Sequence, residues 1–173
     1  MARTRTYIAG DWTGDEDLIQ QLYKWNESNF WNLHFVDAHK DIQASDKSLS
    51  CSIKKSLQER LDISKTFVLV VGKHTLNLTR GSCANCSRYR PSYGCTSGGS
   101  VSLKSFIEYE CDKAVRDGLN IIVIYNYANV DKSKCPSACK NVGTHVNGYY
   151  YQPSDGKYYW NYPGVKAAFD KIR

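Results

Sequence analysis

The sequence predicts an α/β fold in which helices flank a central parallel sheet of about five strands. Short apolar runs rich in β-branched residues alternate along the chain with amphipathic stretches of helical spacing, which is typical of repeated βα units. The run 65–71 is almost continuously apolar, as strands covered on both faces of a parallel sheet are. A chain of 173 residues suits one hydrophobic core, so we expect a single domain over 1–173.

The first half of the chain predicts three strands and two helices. Residues 6–9 read as a short buried strand that breaks at the loop from Gly10 to Gly14. Residues 33–36 and 65–71 read as the second and third strands. Two helices lie between these strands, and their apolar faces are marked by Leu18, Ile19, Leu22 and Trp25 in the first and by Ile53, Leu57 and Leu61 in the second.

The second half begins with a long segment that has no periodic pattern. Residues 73–100 are rich in Ser, Gly, Tyr and Cys, and we treat about 76–100 as a Cys-rich insertion. A loop of this length in a compact domain is usually functional or locally stapled. A helix that ends near Gly118, a strand over 119–125, a weaker strand over 143–150 and a terminal helix over 165–172 complete the pattern.

Composition excludes several classes of protein. With 42% hydrophobic and 23% charged residues the chain is an ordinary globular protein rather than a disordered one. No apolar run approaches the roughly 18 residues of a membrane span, and the start lacks the apolar core of a secretion signal, so we expect a cytoplasmic protein with no membrane partner. The net charge of +6 is scattered and forms no basic stripe with interleaved aromatic residues, so we expect no nucleic-acid partner.

Seven cysteines raise the question of metal binding. An odd count in an expected cytoplasmic chain argues against a disulfide framework. Cys83, Cys86 and Cys95 form a C-x2-C-x8-C pattern, and Cys135 and Cys139 form a later pair. The first three with Cys139 would supply the four ligands of a structural zinc site, and free thiols are the alternative.

Glu110 is the candidate catalytic residue. It lies on the helix that follows the insertion, and acidic side chains near the carboxyl ends of parallel strands sit where α/β folds bind ligands. Glu110 comes four residues after Phe106 and shares its helix face, whereas Glu108 faces another side. The alternative for either glutamate is a solvated helix surface.

Three segments, in this order, resemble a TIR domain, and more narrowly the TIR-like subunit of Thoeris antiphage systems. They are residues 34–37 ahead of a polar loop, the strand-like run 64–71, and the pattern Phe106-x-x-x-Glu110, which is similar to the W-x-x-x-E helix of the family. Residues 7–11 are also similar to the first strand and loop of that branch, and the likeness spans roughly 5–126. The chain departs from the family in having Phe106 where many relatives have Trp, and in its Cys-rich insertion.

The resemblance implies a flavodoxin-like TIR fold and an enzyme that cleaves the nicotinamide–ribose bond of NAD+. The ADP-ribosyl group would be hydrolysed or cyclised, and a cyclic ADP-ribose product would activate a separate effector in antiphage defence. TIR–TIR self-association and a phage-derived trigger are further implied partners. In this chemistry the Glu110 carboxylate would stabilise the oxocarbenium character that develops on the ribose.

The residues expected to contact NAD+ surround that glutamate. The glycine loop after the first strand would let the backbone approach the nucleotide, with an indole to stack on a ring and a carboxylate to meet a ribose hydroxyl. The alternative for the glycine loop is an ordinary βα turn. For His39 it is a histidine in a surface loop, and for Ser105 it is a simple helix cap. The expected contacts are Ala9, Gly10, Asp11, Trp12, Asp37, His39, Ser105 and Phe106.

Two other functions compete with this interpretation. A TIR domain can serve as a non-enzymatic adaptor, although a glutamate at the expected position argues against that role here. A receiver-like module would need an aspartate at the end of a central strand, and the third strand ends Val70-Val71-Gly72 instead. The chain also lacks the G-x-G-x-x-G and G-x-x-x-x-G-K-[ST] phosphate-binding patterns.

Overall fold

The structure is a computed structural model that describes residues 3–41 and 49–172. The elements follow in the order β1 (Arg5–Ala9), α1 (Glu16–Glu27), α2 (Ser50–Asp62), β2 (Ser64–Val71), β3 (Tyr89–Arg90), β4 (Gly94–Cys95), α3 (Phe106–Arg116), β5 (Asn120–Tyr125), β6 (Thr144–Asn147), β7 (Tyr149–Gln152), β8 (Lys157–Trp160) and α4 (Tyr162–Asp170). Within these ranges no helix combines the length and the apolar character needed to cross a membrane.

The central sheet has the order β1-β2-β5-β6, and each neighbouring pair is parallel. Alternate residues of each strand point to opposite faces, so the sheet supports two apolar layers. One face packs against α2 and α3, and the other against α1 and α4. The predicted α/β class with a parallel sheet flanked by helices is therefore confirmed.

The expected number of about five strands is too high for the described residues, where the parallel sheet has four. Residues 33–36, expected as the second strand, are not a strand of this sheet in the described part of the chain; Thr6 N donates to Val36 O, and an isolated bridge joins Thr6 to the next residue, Asp37. The backbone of Phe35 bonds to the Asn26 side chain through both its N–H and its C=O, at 2.8 and 2.9 Å, and His34 has a positive φ of 55°. A side chain therefore satisfies the groups that a strand ladder would use.

The C-terminal third also differs from the expected pattern, in the number of its strands and in the start of its last helix. The weak strand expected over 143–150 divides into β6 and β7, and β7 pairs antiparallel with β8 in a hairpin rich in exposed tyrosines. The final helix begins before residue 165, because the side chain of Asn161 accepts a hydrogen bond from Gly164 N and a proline occupies the first turn.

The Cys-rich insertion contains a short hairpin, and hydrogen bonds hold the chain together on either side of it. The hairpin is formed by β3 and β4. Cys83 N donates to Ser102 O at 2.9 Å, which joins the chain on either side of this hairpin. The buried Lys54 side chain on α2 donates to Ser102 Oγ at 3.0 Å and to Lys104 O at 2.8 Å. The insertion is thus anchored to α2 just before α3 begins.

Candidate active site

A cavity of about 280 Å³ opens at the carboxyl end of β1, between the loop that follows this strand and helices α2 and α3. This is the edge at which open α/β sheets bind ligands. The lining combines apolar and aromatic side chains with two arginines and one buried carboxyl group. The lining residues are Tyr7, Ile8, Ala9, Gly10, Asp11, Trp12, Thr13, His39, Ile53, Leu57, Arg60, Leu78, Arg80, Phe106, Ile107 and Glu110.

Glu110 is the buried carboxyl group of this cavity. Helix α3 starts with a capping box in which Ser105 Oγ accepts from Glu108 N and the Glu108 side chain accepts from Ser105 N, and this fixes the turn that carries Glu110. Glu110 is 6% exposed, and Tyr7 Oη donates to its Oε1 at 2.5 Å. Burial raises the pKa of Glu110 to about 7, against the opposing effects of the Tyr7 hydrogen bond and the Arg60 charge.

Tyr7 holds that carboxyl group in place. Its ring lies in the core beside Phe67, with ring centroids 5.9 Å apart, and Tyr7 is among the residues that line the cavity. Burial, together with the neighbouring Glu110, raises the pKa of Tyr7 well above its ordinary value. The phenol therefore stays protonated and remains a hydrogen-bond donor to Glu110.

His39 and Asp37 have different positions although both were expected to bind the substrate. The ring of His39 lines the cavity, with its centroid 4.6 Å from that of Tyr7 and 5.7 Å from that of Trp12. Asp37 lies behind it and accepts from His39 N, pairs with His39 Nδ1 at 3.0 Å and accepts from Tyr23 Oη. Burial alone would raise the pKa of Asp37, but these hydrogen bonds hold it below its ordinary value. Asp37 thus orients His39 and is not among the lining residues.

The loop after β1 supplies one wall of the cavity. Ala9, Gly10, Asp11 and Trp12 all line it. A Cβ at Gly10 would lie 3.1 Å from the Cβ of Val70, so glycine lets the loop pass this close to β2 without a shift of its neighbours. Trp12 is 43% exposed and offers a ring face at the wall.

At the start of α3, Phe106 lines the cavity and Ser105 does not. The ring of Phe106 packs on Gly81, which has a φ of +96° and where a Cβ would overlap the ring. Ser105 is buried and uses its hydroxyl in the helix cap, so the structure assigns it a local structural role and places it outside the lining.

The four cysteines expected to bind zinc are not brought together. Cys139 is fully buried in the core layer that also contains Cys111 and Cys135, whereas Cys83, Cys86 and Cys95 belong to the insertion. Across the described ranges, no group of three or more His, Cys, Asp or Glu side chains is arranged to hold a metal ion. Because tetrahedral zinc needs four convergent ligands, the predicted set does not fit the ion. The second cysteine pair, Cys135 and Cys139, belongs to the buried layer between the sheet and helices α2 and α3.

Four polar lining residues were not named as candidate site residues from the sequence: Tyr7, Thr13, Arg60 and Arg80. Tyr7 was read only as part of a buried strand, and nothing in its pattern distinguishes it from other core residues. Arg60 did carry a signal, because it falls seven residues after Ile53 and three after Leu57, on the apolar face of α2. Arg80 stands at the start of the insertion and gave no such signal.

Comparison with known families identifies the N-terminal part of the chain. Residues 7–80 match the family model described as the Thoeris protein ThsB, TIR-like domain. No curated protein gives a significant match to the chain. The match covers most of β1 and all of α1, α2 and β2, together with the cavity residues up to Arg80, and it ends before α3 and Glu110. The resemblance expected from the sequence is confirmed over residues 7–80, which match the TIR-like domain of the Thoeris protein ThsB.

Proposed function

We propose that this chain cleaves the nicotinamide–ribose bond of NAD+ and converts the ADP-ribosyl group to ADP-ribose or a cyclic ADP-ribose. The match to the Thoeris TIR-like domain supports a role in Thoeris antiphage defence. Within that role, the product is a signal that activates a separate effector, and a phage-derived trigger and TIR–TIR self-association control turnover. The reaction consumes NAD+, and we place it in the cytoplasm.

The observation that carries the proposal is the buried carboxyl group of Glu110 in a cavity at the carboxyl end of β1. A carboxyl group costs free energy to desolvate, and such groups with a raised pKa in a cleft are concentrated at functional sites. Glu110 has a single side-chain donor, Tyr7, within the described part of the chain. The cost of burying this group is explained if a ligand that becomes cationic during the reaction occupies the cavity.

Departure of nicotinamide leaves positive charge on C1′ and O4′ of the ribose. In its ionised form Glu110 stabilises that charge electrostatically, and it does so strongly because the carboxylate is buried away from bulk solvent. Tyr7 fixes the carboxylate in one orientation through Oε1. The aromatic side chains of Trp12 and Phe106 supply faces for stacking the nucleotide rings and keep solvent from the reacting bond.

The proposal is tested by incubating the purified protein with NAD+, with and without lysate from phage-infected cells. Nicotinamide and a cyclic ADP-ribose isomer are then sought by mass spectrometry. Wild type is expected to release nicotinamide in at least the lysate arm, and Glu110→Gln is expected to lose at least 100-fold in rate, as for removal of one preorganised electrostatic group.

Glu108→Gln is the matched control. It removes a carboxylate two residues away on the same helix, and glutamine can keep the capping box with Ser105. Equal nicotinamide release by wild type and folded Glu110→Gln contradicts the role of Glu110. Absence of release from wild type in both arms favours the adaptor function instead.

A further inference from the structure

Arg60 is a buried cation on the wall of this cavity. It lies near the end of α2, on the apolar face that also carries Leu57 and Leu61, and it is 5% exposed. Placing a guanidinium in such surroundings costs several kcal/mol unless an anion or a set of acceptors compensates it. The position of Arg60 therefore requires a partner.

The protein itself does not supply that partner among the described residues. The Nε of Arg60 is buried and makes no hydrogen bond. Arg60 forms no ion pair with Glu110, although the two line the same cavity and its charge opposes the rise in the pKa of Glu110. A structural counterion would be expected to make a paired, bidentate contact, and Arg60 does not.

The arrangement of charges around the cavity indicates which ligand is missing. Arg60 and Arg80 both line the cavity, with Arg60 buried and Arg80 exposed, while the buried carboxyl group of Glu110 lines the same space. A ligand that fits both signs has an anionic part and, during reaction, a cationic one. Guanidinium groups bind phosphate oxygens in a planar, bidentate fashion.

We propose that Arg60 binds the pyrophosphate of the dinucleotide substrate, which makes the site selective for nucleotides carrying phosphates over the corresponding nucleosides. This inference rests on the proposed function, since it takes NAD+ as the ligand. It assigns Arg60 to substrate binding and leaves the bond-breaking step to Glu110. The substrate would thus be held at its centre by a cation and at its reacting ribose by a carboxylate.

Binding of ADP and adenosine, which differ only by two phosphates, tests the inference without turnover. Isothermal titration calorimetry is performed on wild type, Arg60→Gln, Arg60→Lys and the control Lys55→Gln, which removes an exposed positive charge from the same helix. Wild type and Lys55→Gln are expected to bind ADP more tightly than adenosine. Arg60→Gln is expected to lose roughly 10- to 100-fold in affinity for ADP, the loss of one hydrogen-bonded charge, with no change for adenosine.

Arg60→Lys keeps the charge but not the planar fork, and it is expected to fall between wild type and Arg60→Gln. Inorganic pyrophosphate is expected to compete with ADP on the wild-type protein, which tests the inference even if a variant fails to fold. Equal affinity for ADP in wild type and folded Arg60→Gln overturns the inference, as does an equal loss for ADP and adenosine. Failure of the wild type to bind either ADP or pyrophosphate at millimolar concentration also overturns it.

Steady-state kinetics separates this inference from the proposed function. If NAD+ is cleaved, Arg60→Gln is expected to raise KM by roughly 10- to 100-fold with kcat changed only a few-fold, because it removes a contact made equally in the ground and transition states. If Arg60→Gln cleaves NAD+ with the wild-type KM, Arg60 does not bind the pyrophosphate, and the proposed NAD+ cleavage is unaffected. Phosphate-dependent binding without any cleavage would reject NAD+ cleavage and leave the phosphate site standing.

Discussion

Glu110→Gln is expected to stabilise the protein at alkaline pH and not at acidic pH. The folded state raises the pKa of Glu110 from 4.5 to about 7, so it binds this proton more tightly than the unfolded chain does. The corresponding stability is fully present below pH 4.5 and is lost as pH rises through 7. One pKa unit is worth about 1.4 kcal/mol, so the wild type loses roughly 3 kcal/mol between pH 4.5 and pH 8 from this group alone.

Glutamine resembles the protonated carboxyl group and does not titrate. Its Oε1 can still accept the hydrogen bond from Tyr7, so the two proteins are expected to have similar free energies of unfolding near pH 4.5. At pH 8 the variant is expected to be more stable by roughly 3 kcal/mol, with the difference growing by at most about 1.4 kcal/mol per pH unit.

The measurement is urea unfolding followed by tryptophan fluorescence at pH 5, 6, 7 and 8, since the chain has four tryptophans. Other titrating groups are common to both proteins and cancel in the difference between their free energies of unfolding. Glu108→Gln serves as the reference for losing a carboxylate from α3, and no such gain is expected there because Glu108 is exposed. A Glu110→Gln difference that does not change with pH would refute the desolvated carboxyl group on which the proposed site depends.

Three further predictions follow from individual contacts. Tyr7→Phe removes the donor to Glu110, so the pH at which NAD+ cleavage reaches half its maximum is expected to rise from about 7, and an unchanged pH–rate profile would contradict this. Gly81→Ala is expected to lower the free energy of unfolding by about 1–3 kcal/mol, because its φ is positive, and to raise KM for NAD+, because a Cβ there would displace the Phe106 ring. Thermal unfolding measures the first effect and steady-state kinetics the second. A Tm equal to that of the wild type would contradict the prediction. Asn26→Leu leaves one backbone N–H and one C=O unpaired, so chemical denaturation is expected to show a loss of about 2 kcal/mol or more, and a loss below 0.5 kcal/mol would be inconsistent with this pairing.

Helices with apolar residues at helical spacing, and strands with a continuous apolar run, were predictable from the sequence. The four apolar residues that define α1 in the sequence are its four buried residues, and the runs that predicted β2 and β5 lie in the middle of the sheet. The expected strand over 33–36 failed because a side chain on α1 competes for its backbone groups, and no local pattern shows a contact of that kind. The β7–β8 hairpin was missed because its exposed aromatic residues have no apolar alternation.

The candidate site was only partly predictable. A motif pointed to Glu110 and Phe106, and both line the cavity. Sequence spacing did not show that the Ser105 hydroxyl is used by its own helix, because a cap and a ligand contact involve the same residue type at the same position. Arg60 could have been recognised as a charge on an apolar helix face, which is uncommon unless the charge has a purpose.

A backbone hydrogen bond closes the Cys-rich segment at its base, so a change in the length of this segment need not alter the rest of the domain. The chain leaves at Cys83 and returns at Ser102, where a backbone hydrogen bond joins the two points. Lengthening a flexible excursion between fixed ends costs little, about 0.6 kcal/mol for each doubling in length. The segment between these two points can therefore be shortened, lengthened or replaced while α3 and its buried carboxyl group keep their places, so its length can vary without a change in the cavity.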